Sequence, residues 1–269
     1  FEERKRFDTL DFNNVLILMA FDDDEAACDA VKQIDERGGR YISLNVQKPA
    51  FYHHINWAWR EIAHKEQWRQ TEEGFSKWNV PDFDNLIQAL EATKSVEGDY
   101  LEVGCFRGSS GSAVLAYLNE MGWRKRCWFL DVFEGFNYEE AFESSDMRWS
   151  GSHETEGKEV VEARLRRFET PDLNVIVEKK NIITDDLDPA LKSLAVVNID
   201  VDMYEAVAAT LVKCAPLVAS GGIMIAEDAG HTPALIGARL AVQEFIESEH
   251  SAGFTHFYVG SGQHMFFKR

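Results

Sequence analysis

The feature that most constrains the fold is a regular alternation of short apolar runs and amphipathic segments, which begins after Pro81. The apolar runs predict β-strands, and the segments between them have the spacing of α-helices. The predicted strands are 100–103, 127–131, 175–178, 195–199 and 222–226, and the predicted helices are 83–94, 110–121, 159–168, 206–217 and 236–249. Strands that alternate with helices are typical of a mostly parallel sheet that is covered on both faces. We therefore predict a doubly wound α/β fold.

The C-terminal residues depart from this alternation. Two apolar runs, 255–259 and 264–267, flank the turn-forming sequence Gly260-Ser261-Gly262. This pattern predicts a β-hairpin, because glycine allows the backbone angles that a tight turn needs. We expect the hairpin to add an antiparallel strand at the edge of the sheet.

The first 80 residues differ in character from the rest of the chain. Two strand-like runs, 14–20 and 41–46, enclose a helical pattern, and residues 50–78 are rich in Trp, His and Phe without a simple period. We therefore divide the chain into an N-terminal α/β extension, residues 1–80, and a larger domain, residues 81–269. We expect the extension to serve as a lid over a binding site or as a contact between the subunits of a homo-oligomer.

The composition restricts the partners and the compartment. The 269 residues include 28 Lys and Arg against 46 Asp and Glu, which gives a net charge of −18. Because phosphate binding needs a cationic surface, this balance argues against nucleic acids and anionic membranes as partners. The four cysteines form no Cys-x-x-Cys pair and have no zinc-binding spacing, which favours reduced thiols in the cytoplasm. The apolar run 15–21 is too short to span a bilayer.

The sharpest local motif is Glu102-x-Gly104-x-x-x-Gly108, which follows a predicted strand and opens a predicted helix. Glycine in this position lets the backbone turn tightly and approach a ligand. The motif is neither the Gly-x-Gly-x-x-Gly fingerprint nor a P-loop, so an NAD-dependent dehydrogenase is a weak alternative. Asp131 ends the next predicted strand, where an acidic side chain meets the ribose hydroxyls of a bound nucleoside in doubly wound folds.

A second set of acidic residues follows two later strands. Asp200 comes directly after one apolar run, and Glu227 and Asp228 come directly after the next. Neighbouring parallel strands bring such residues to one edge of the sheet, where ligands bind. Three carboxylates suit Mg²⁺ or a similar divalent cation. The alternative is that Asp200 and Asp202 cap a helix and that the Glu-Asp pair is a solvated turn.

Five segments, in this order along the chain, resemble the macrocin O-methyltransferase (TylF-type) family of natural-product tailoring enzymes. They are residues 98–108, 131–136, 199–205, 221–228 and 237–245. The resemblance implies a class I, S-adenosylmethionine-dependent methyltransferase with a Rossmann-like sheet. It begins near residue 98, and residues 1–80 show no match to the family.

The resemblance also implies a chemistry, which is transfer of a methyl group to a metal-bound hydroxyl of a sugar, polyketide or other natural product. Asp200, Glu227 and Asp228 would hold Mg²⁺, with Glu227 in place of the family's Asp, and Asp200 would be the base. His231 is a second catalytic candidate, because it lies three residues after Asp228. The residues expected to bind S-adenosylmethionine are Glu102, Gly104, Arg107, Gly108, Ser109, Ser110, Asp131 and Phe133.

Two alternatives share these motifs. A cephalosporin-hydroxylase-like protein or a catechol-type O-methyltransferase would carry the same glycine turn and the same acidic cluster. A non-catalytic module could bind the cofactor and serve in assembly, although the presence of all three metal-ligand candidates argues against it.

Overall fold

The structure is a computed structural model. It describes residues 10–12, 15–21, 23–44, 57–75, 80–231, 236–259 and 262–269. The strands are β1 (Leu16–Met19), β2 (Arg40–Ser43), β3 (Asp99–Val103), β4 (Lys125–Asp131), β5 (Leu173–Lys179), β6 (Leu194–Ile199), β7 (Val218–Ala226), β8 (Phe254–Tyr258) and β9 (His264–Lys268). The helices are α1 (Asp24–Glu36), α2 (Trp57–Glu73), α3 (Val80–Ala92), α4 (Ser109–Glu120), α5 (Glu139–Glu143), α6 (Lys158–Arg166), α7 (Tyr204–Cys214), α8 (Asp228–His231) and α9 (Ile236–Glu247).

A seven-stranded sheet organises the larger part of the chain, in the order β5-β4-β3-β6-β7-β9-β8. Strands β3 to β7 pair in parallel, whereas β9 pairs antiparallel with both β7 and β8. The predicted doubly wound sheet with a C-terminal antiparallel hairpin is therefore confirmed. The predicted turn residues Gly260 and Ser261 lie outside the described residues.

Apolar side chains cover both faces of this sheet. Along β3, Tyr100 belongs to one buried cluster and Leu101 to the other, as expected for side chains that alternate between faces. All six residues of β6 are buried. Because the central strands have no solvent face, their sequences are continuous apolar runs rather than alternating patterns. No helix among the described residues is both long and apolar enough to cross a membrane.

The N-terminal part forms a separate two-stranded parallel sheet, in which β1 and β2 are connected by α1. This βαβ unit confirms the predicted α/β extension. It contacts α3 through two hydrogen bonds: the Ser43 amide donates to Gln88 Oε1 at 2.6 Å, and Arg40 donates to the Ala92 carbonyl at 3.1 Å. The domain boundary at residue 80 stays a prediction. Residues 50–56 and 76–78 of the segment that is rich in Trp, His and Phe lie outside the described residues.

Candidate active site

A cavity lies where β3, β4 and β6 end. Gly104, Asp131 and Asp200, which end or follow these three strands, all line it. In doubly wound folds, ligands bind at this edge, where the order of the strands reverses. Lys180, Asn181 and Ile182, which follow β5, extend the wall on one side, and Tyr138 and His153 extend it on another.

Gly104 allows the ends of β3 and β6 to come together. Its φ is +90°, and a Cβ at this position would lie 1.8 Å from the backbone oxygen of Asp200. The Gly104 amide donates to the Leu130 carbonyl at 2.8 Å, and the Asp200 amide donates to the Val103 carbonyl at 2.9 Å. No other residue type fits this conformation and this distance, so the glycine of the motif is explained by close backbone approach.

Asp131 is held by backbone amides at the rim of the cavity. The amides of Phe106 and Phe133 each donate to its carboxylate at 2.7 Å. Burial raises the pKa of Asp131, and these amide hydrogen bonds oppose the rise. Its position at the end of β4 is the one predicted for an acid that binds ribose hydroxyls.

Glu102 lies inside the fold and does not line the cavity. Its carboxylate accepts hydrogen bonds from the Tyr100 and Ser110 hydroxyls, both at 2.6 Å. Burial raises the pKa of Glu102 to about 7, although these hydrogen bonds lower it. The structure therefore gives Glu102 protein partners, and its binding to a cofactor stays a prediction.

Five other predicted cofactor-binding residues also lie away from the cavity wall; they are Arg107, Gly108, Ser109, Ser110 and Phe133. Arg107 pairs with Glu156 at 3.6 Å, and the Ser109 hydroxyl donates to Gln70 on α2. Gly108 has a φ of +78° and precedes the first residue of α4. The structure thus assigns these residues contacts that shape the turn, and their binding to a cofactor stays a prediction.

The structure brings Asp200, Glu227 and Asp228 together. Each offers one carboxylate oxygen, and these three oxygens lie within 4.8 Å of one another. Glu227 and Asp228 are buried, and Asp200 is half-buried. The parallel pairing of β6 with β7 causes the convergence, because the Glu227 amide continues the ladder by donating to the Ile199 carbonyl at 3.0 Å. Hard oxygen donors at this spacing could hold a divalent cation.

Asp202 extends the acidic cluster and lines the same cavity. Burial, and next the charge of Asp228, raise the pKa of Asp202 and the pKa of Asp200 well above the usual range. Sequence analysis considered Asp202 only as a helix cap. The signal that could have identified it is its place three residues after the end of β6 and two residues after Asp200.

Two histidines lie near the site, but the structure describes the side chain of only one of them. His231 ends α8, but its side chain lies outside the described part of the structure, so its catalytic role stays a prediction. His153, which sequence analysis did not single out, lines the cavity. It belongs to the segment between α5 and α6, and no motif marks it.

Backbone strain is concentrated around the cavity. Among the described residues, those other than glycine with a left-handed φ are Phe106 (45°), Phe133 (63°), His153 (62°) and Asp202 (58°). Three of them line the cavity, and the fourth, Phe133, donates its amide hydrogen to Asp131. Such conformations cost free energy and persist where the surrounding structure holds them, often at functional sites.

Comparison with known proteins gives a family match and several structural matches. The model of the macrocin-O-methyltransferase (TylF) family matches residues 45–252. The expectation that residues 1–80 do not match the family is therefore wrong for residues 45–80. No curated protein sequence matches the chain significantly. The solved structure of the O-methyltransferase NovP has a TM-score of 0.58 at 20% identity, over 72% of this chain and 83% of that chain.

Two structures of the methyltransferase CalS11 are also similar. One, the calicheamicin methyltransferase, has a TM-score of 0.56 at 13% identity and covers 96% of each chain. The other, the apo form of this TDP-rhamnose 3′-O-methyltransferase, has a TM-score of 0.50 at 14% identity, over 77% of this chain and 93% of that chain. At these identities the likeness establishes a common fold.

Proposed function

We propose a magnesium-dependent transfer of a methyl group to a hydroxyl of a sugar or polyketide. The chain belongs to the macrocin O-methyltransferase family, and it is therefore an S-adenosylmethionine-dependent O-methyltransferase of natural-product biosynthesis. The observation that carries this proposal is the meeting of Asp200, Glu227 and Asp228 beside the cavity. Asp200 is the proposed base.

The acidic cluster fits a divalent cation. Its three carboxylate oxygens come from two neighbouring strands and lie within 4.8 Å of one another. Burial, and next the repulsion from neighbouring acids, raise the pKa of Asp200, which shows that such a group of carboxylates is unfavourable when all are charged. A bound cation removes that repulsion. Magnesium bound by Asp200, Glu227 and Asp228 would supply Lewis acidity, which makes an acceptor hydroxyl easier to deprotonate.

The cavity fits the methyl donor. Asp131 offers its carboxylate to the ribose hydroxyls, because its two backbone hydrogen bonds leave lone pairs for further donors. Gly104 lets the donor approach the backbone without a Cβ clash. The positive sulfonium group is attracted by Asp202, which lines the same cavity.

The transfer itself requires alignment and a proton acceptor. The methyl carbon leaves the sulfur as the bond to the acceptor oxygen forms, and the hydroxyl proton passes to the carboxylate of Asp200. The products are the methyl ether and neutral S-adenosylhomocysteine. A positioned general base contributes on the order of 10²–10⁴-fold to such a reaction. The protein aligns donor and acceptor by holding them in one cavity at the ends of β3 and β6.

The acceptor class rests on the family and its structural neighbours. Macrocin gives the family its name, and CalS11 is described as a methyltransferase of TDP-rhamnose in calicheamicin biosynthesis. We therefore propose a hydroxyl on a sugar or related natural product as the acceptor. The N-terminal extension as a lid or subunit contact, a homo-oligomeric state and a cytoplasmic location stay predictions.

The test combines binding and turnover. Calorimetry measures S-adenosylmethionine binding, and mass spectrometry measures methylation of macrocin, TDP-rhamnose and catechol, with Mg²⁺ or with excess EDTA. We expect cofactor binding, methylation of macrocin or TDP-rhamnose, and loss of turnover in EDTA. Methylation of catechol alone would favour the catechol-type alternative. Absence of cofactor binding, or full turnover in EDTA, would contradict the proposal.

A further inference from the structure

His153 places an imidazole ring in the wall of the cavity that Asp200 also lines. The ring is half-buried and surrounded by aromatic side chains. Its centroid lies 4.8 Å from that of Phe136, 5.6 Å from that of Phe106 and 6.1 Å from that of Trp149. The proposed base, Asp200, and this ring therefore belong to one cavity, although 47 residues separate them in the chain.

The backbone around His153 is fixed by close contacts. The Phe136 amide donates to the Ser152 carbonyl at 2.9 Å, and the Gly151 amide donates to the Phe136 carbonyl at 3.0 Å. A Cβ on Gly135 would lie 2.2 Å from the Ser152 oxygen, so this segment packs directly on the glycine. His153 itself has a φ of +62°, which costs free energy that these contacts offset. The ring is thus held in place before any ligand binds.

The hydrogen bonds of Ser152 determine the tautomer of the ring. The Ser152 hydroxyl lies 2.6 Å from the Trp149 carbonyl and 2.8 Å from His153 Nδ1. A hydroxyl has one hydrogen, and a carbonyl can only accept, so Ser152 donates to Trp149. His153 Nδ1 must then carry the hydrogen that it shares with Ser152. In a neutral imidazole, this leaves Nε2 with its lone pair.

Two further observations agree with a neutral ring that can accept a hydrogen bond at Nε2. Burial lowers the pKa of His153, and the charge of Asp228 opposes that effect. Among the described residues, the hydrogen-bond partner of the ring is the Ser152 hydroxyl, which contacts Nδ1 and not Nε2. Because His153 lines the cavity and its Nδ1 is bonded to Ser152, Nε2 is the ring atom left to accept a hydrogen bond from a ligand there.

We propose that His153 is an acceptor-binding residue, whose Nε2 accepts a hydrogen bond from a second hydroxyl of the acceptor molecule. This inference rests on the proposed function, in which the reacting hydroxyl gives its proton to Asp200. The rings of Phe136 and Phe106 contact the apolar face of the same molecule. The arrangement selects acceptors that carry two hydroxyls, because an acceptor without the second one shields the half-buried Nε2 from water and leaves it unpaired.

The tautomer can be tested without any turnover. Protein labelled with ¹⁵N-histidine is studied by NMR at about pH 8, above the ordinary imidazole range, and the His153 signals are identified by their absence in His153→Asn. We expect hydrogen on Nδ1, and a shift of the Nε2 signal when macrocin or TDP-rhamnose is added with S-adenosylhomocysteine. Hydrogen on Nε2, or an unmoved Nε2 signal with both compounds at saturation, would overturn the inference.

The kinetic arm uses variants that keep the backbone. Asparagine tolerates the left-handed conformation, so His153→Asn removes the ring with little strain. We expect its KM for the acceptor to rise about 10-fold or more, as the loss of a buried hydrogen bond predicts. The kcat and the affinity for S-adenosylmethionine should stay close to those of the wild type. Ser152→Ala, which frees the tautomer, should raise KM by a smaller factor.

The control is His250→Asn, because His250 is exposed on the short 3₁₀ helix Glu249–Ser251. The His250→Asn variant should change neither kcat nor the KM for the acceptor. An unchanged acceptor KM in His153→Asn would overturn the inference while leaving the proposed function intact. Loss of cofactor binding by the wild type would contradict the proposed function and leave the tautomer result standing.

Discussion

Acidic residues occupy two kinds of position in the same sheet, and their surroundings differ sharply. Glu102 lies within β3, fully buried, and accepts hydrogen bonds from the Tyr100 and Ser110 hydroxyls at 2.6 Å. Asp200, Glu227 and Asp228 lie beyond the ends of β6 and β7, with their oxygens within 4.8 Å of one another. The first acid has neutral donors as neighbours, whereas the second set has other acids.

The difference follows from position along a strand. An acid inside a strand meets side chains of its own strand and of the covering helix, so neutral hydroxyls can satisfy it. Acids beyond the ends of neighbouring parallel strands converge on one crevice and repel each other. A cation relieves that repulsion. We infer that Glu102 stabilises the turn, and that the three acids at the strand ends bind the metal.

The largest expected effect comes from Asp200→Asn. This change keeps the shape of the side chain but removes its negative charge, which weakens a metal ligand and eliminates the proposed base. We expect methyl transfer to macrocin or TDP-rhamnose to fall by about 10²–10⁴-fold, with nearly unchanged S-adenosylmethionine affinity by calorimetry. Asp172→Asn, at an exposed ion pair with Arg124, is the control and should be fully active. Normal turnover by Asp200→Asn would contradict the inference that the acids at the strand ends act in catalysis whereas Glu102 does not.

A smaller effect is expected at Gly104, where the end of β3 lies against the backbone of Asp200. A Cβ there would lie 1.8 Å from the Asp200 backbone oxygen, and the φ of +90° strains any other residue. We expect Gly104→Ala to lower the free energy of unfolding by about 3 kcal/mol or more, measured by urea denaturation.

The matched control for this change is Gly122→Ala. Gly122 also has a positive φ, +63°, but nothing lies within 4 Å of an added Cβ. It should cost only about 1–2 kcal/mol, the penalty for the left-handed conformation alone. Equal losses in the two variants would show that the ends of β3 and β6 do not need their close approach.

The smallest expected effect is the contribution of Glu102 to the pH dependence of the free energy of unfolding. The pKa of Glu102 in the folded state is about 7, above its ordinary value of 4.5. Between these values the folded protein holds a proton that the unfolded chain has released. The contribution of Glu102 to stability is therefore fully present below about pH 4.5 and is lost as the pH rises towards 7.

Glu102→Gln does not titrate and should lack this loss. The quantity to follow is the free energy of unfolding of Glu102→Gln minus that of the wild type. We expect this difference to increase by on the order of 1–3 kcal/mol from acid to neutral pH. Urea denaturation of both proteins across this range measures the difference. A difference that does not vary with pH would mean that Glu102 keeps an ordinary pKa, like a solvated acid.

Sequence patterns could predict the strands and the metal-binding candidates for one physical reason. The apolar runs before Asp200 and Glu227 mark buried parallel strands, and neighbouring parallel strands end at the same edge. The same patterns could not show that Glu102 faces hydroxyl partners, because the contact with Ser110 depends on how α4 packs. His153 was missed because the contact of Gly135 with Ser152 positions it, and no local period records such a contact.

The most direct test of the account is calorimetric titration of Mg²⁺ into the protein with S-adenosylmethionine bound. The wild type and Glu102→Gln should both bind Mg²⁺. Asp228→Asn should bind it at least about 10-fold more weakly, because a neutral amide replaces a charged carboxylate ligand and even a change in an outer-shell partner costs about 10–100-fold. Equal Mg²⁺ binding by Asp228→Asn and the wild type, or no binding by the wild type, would contradict the assignment of the acids at the strand ends to a metal.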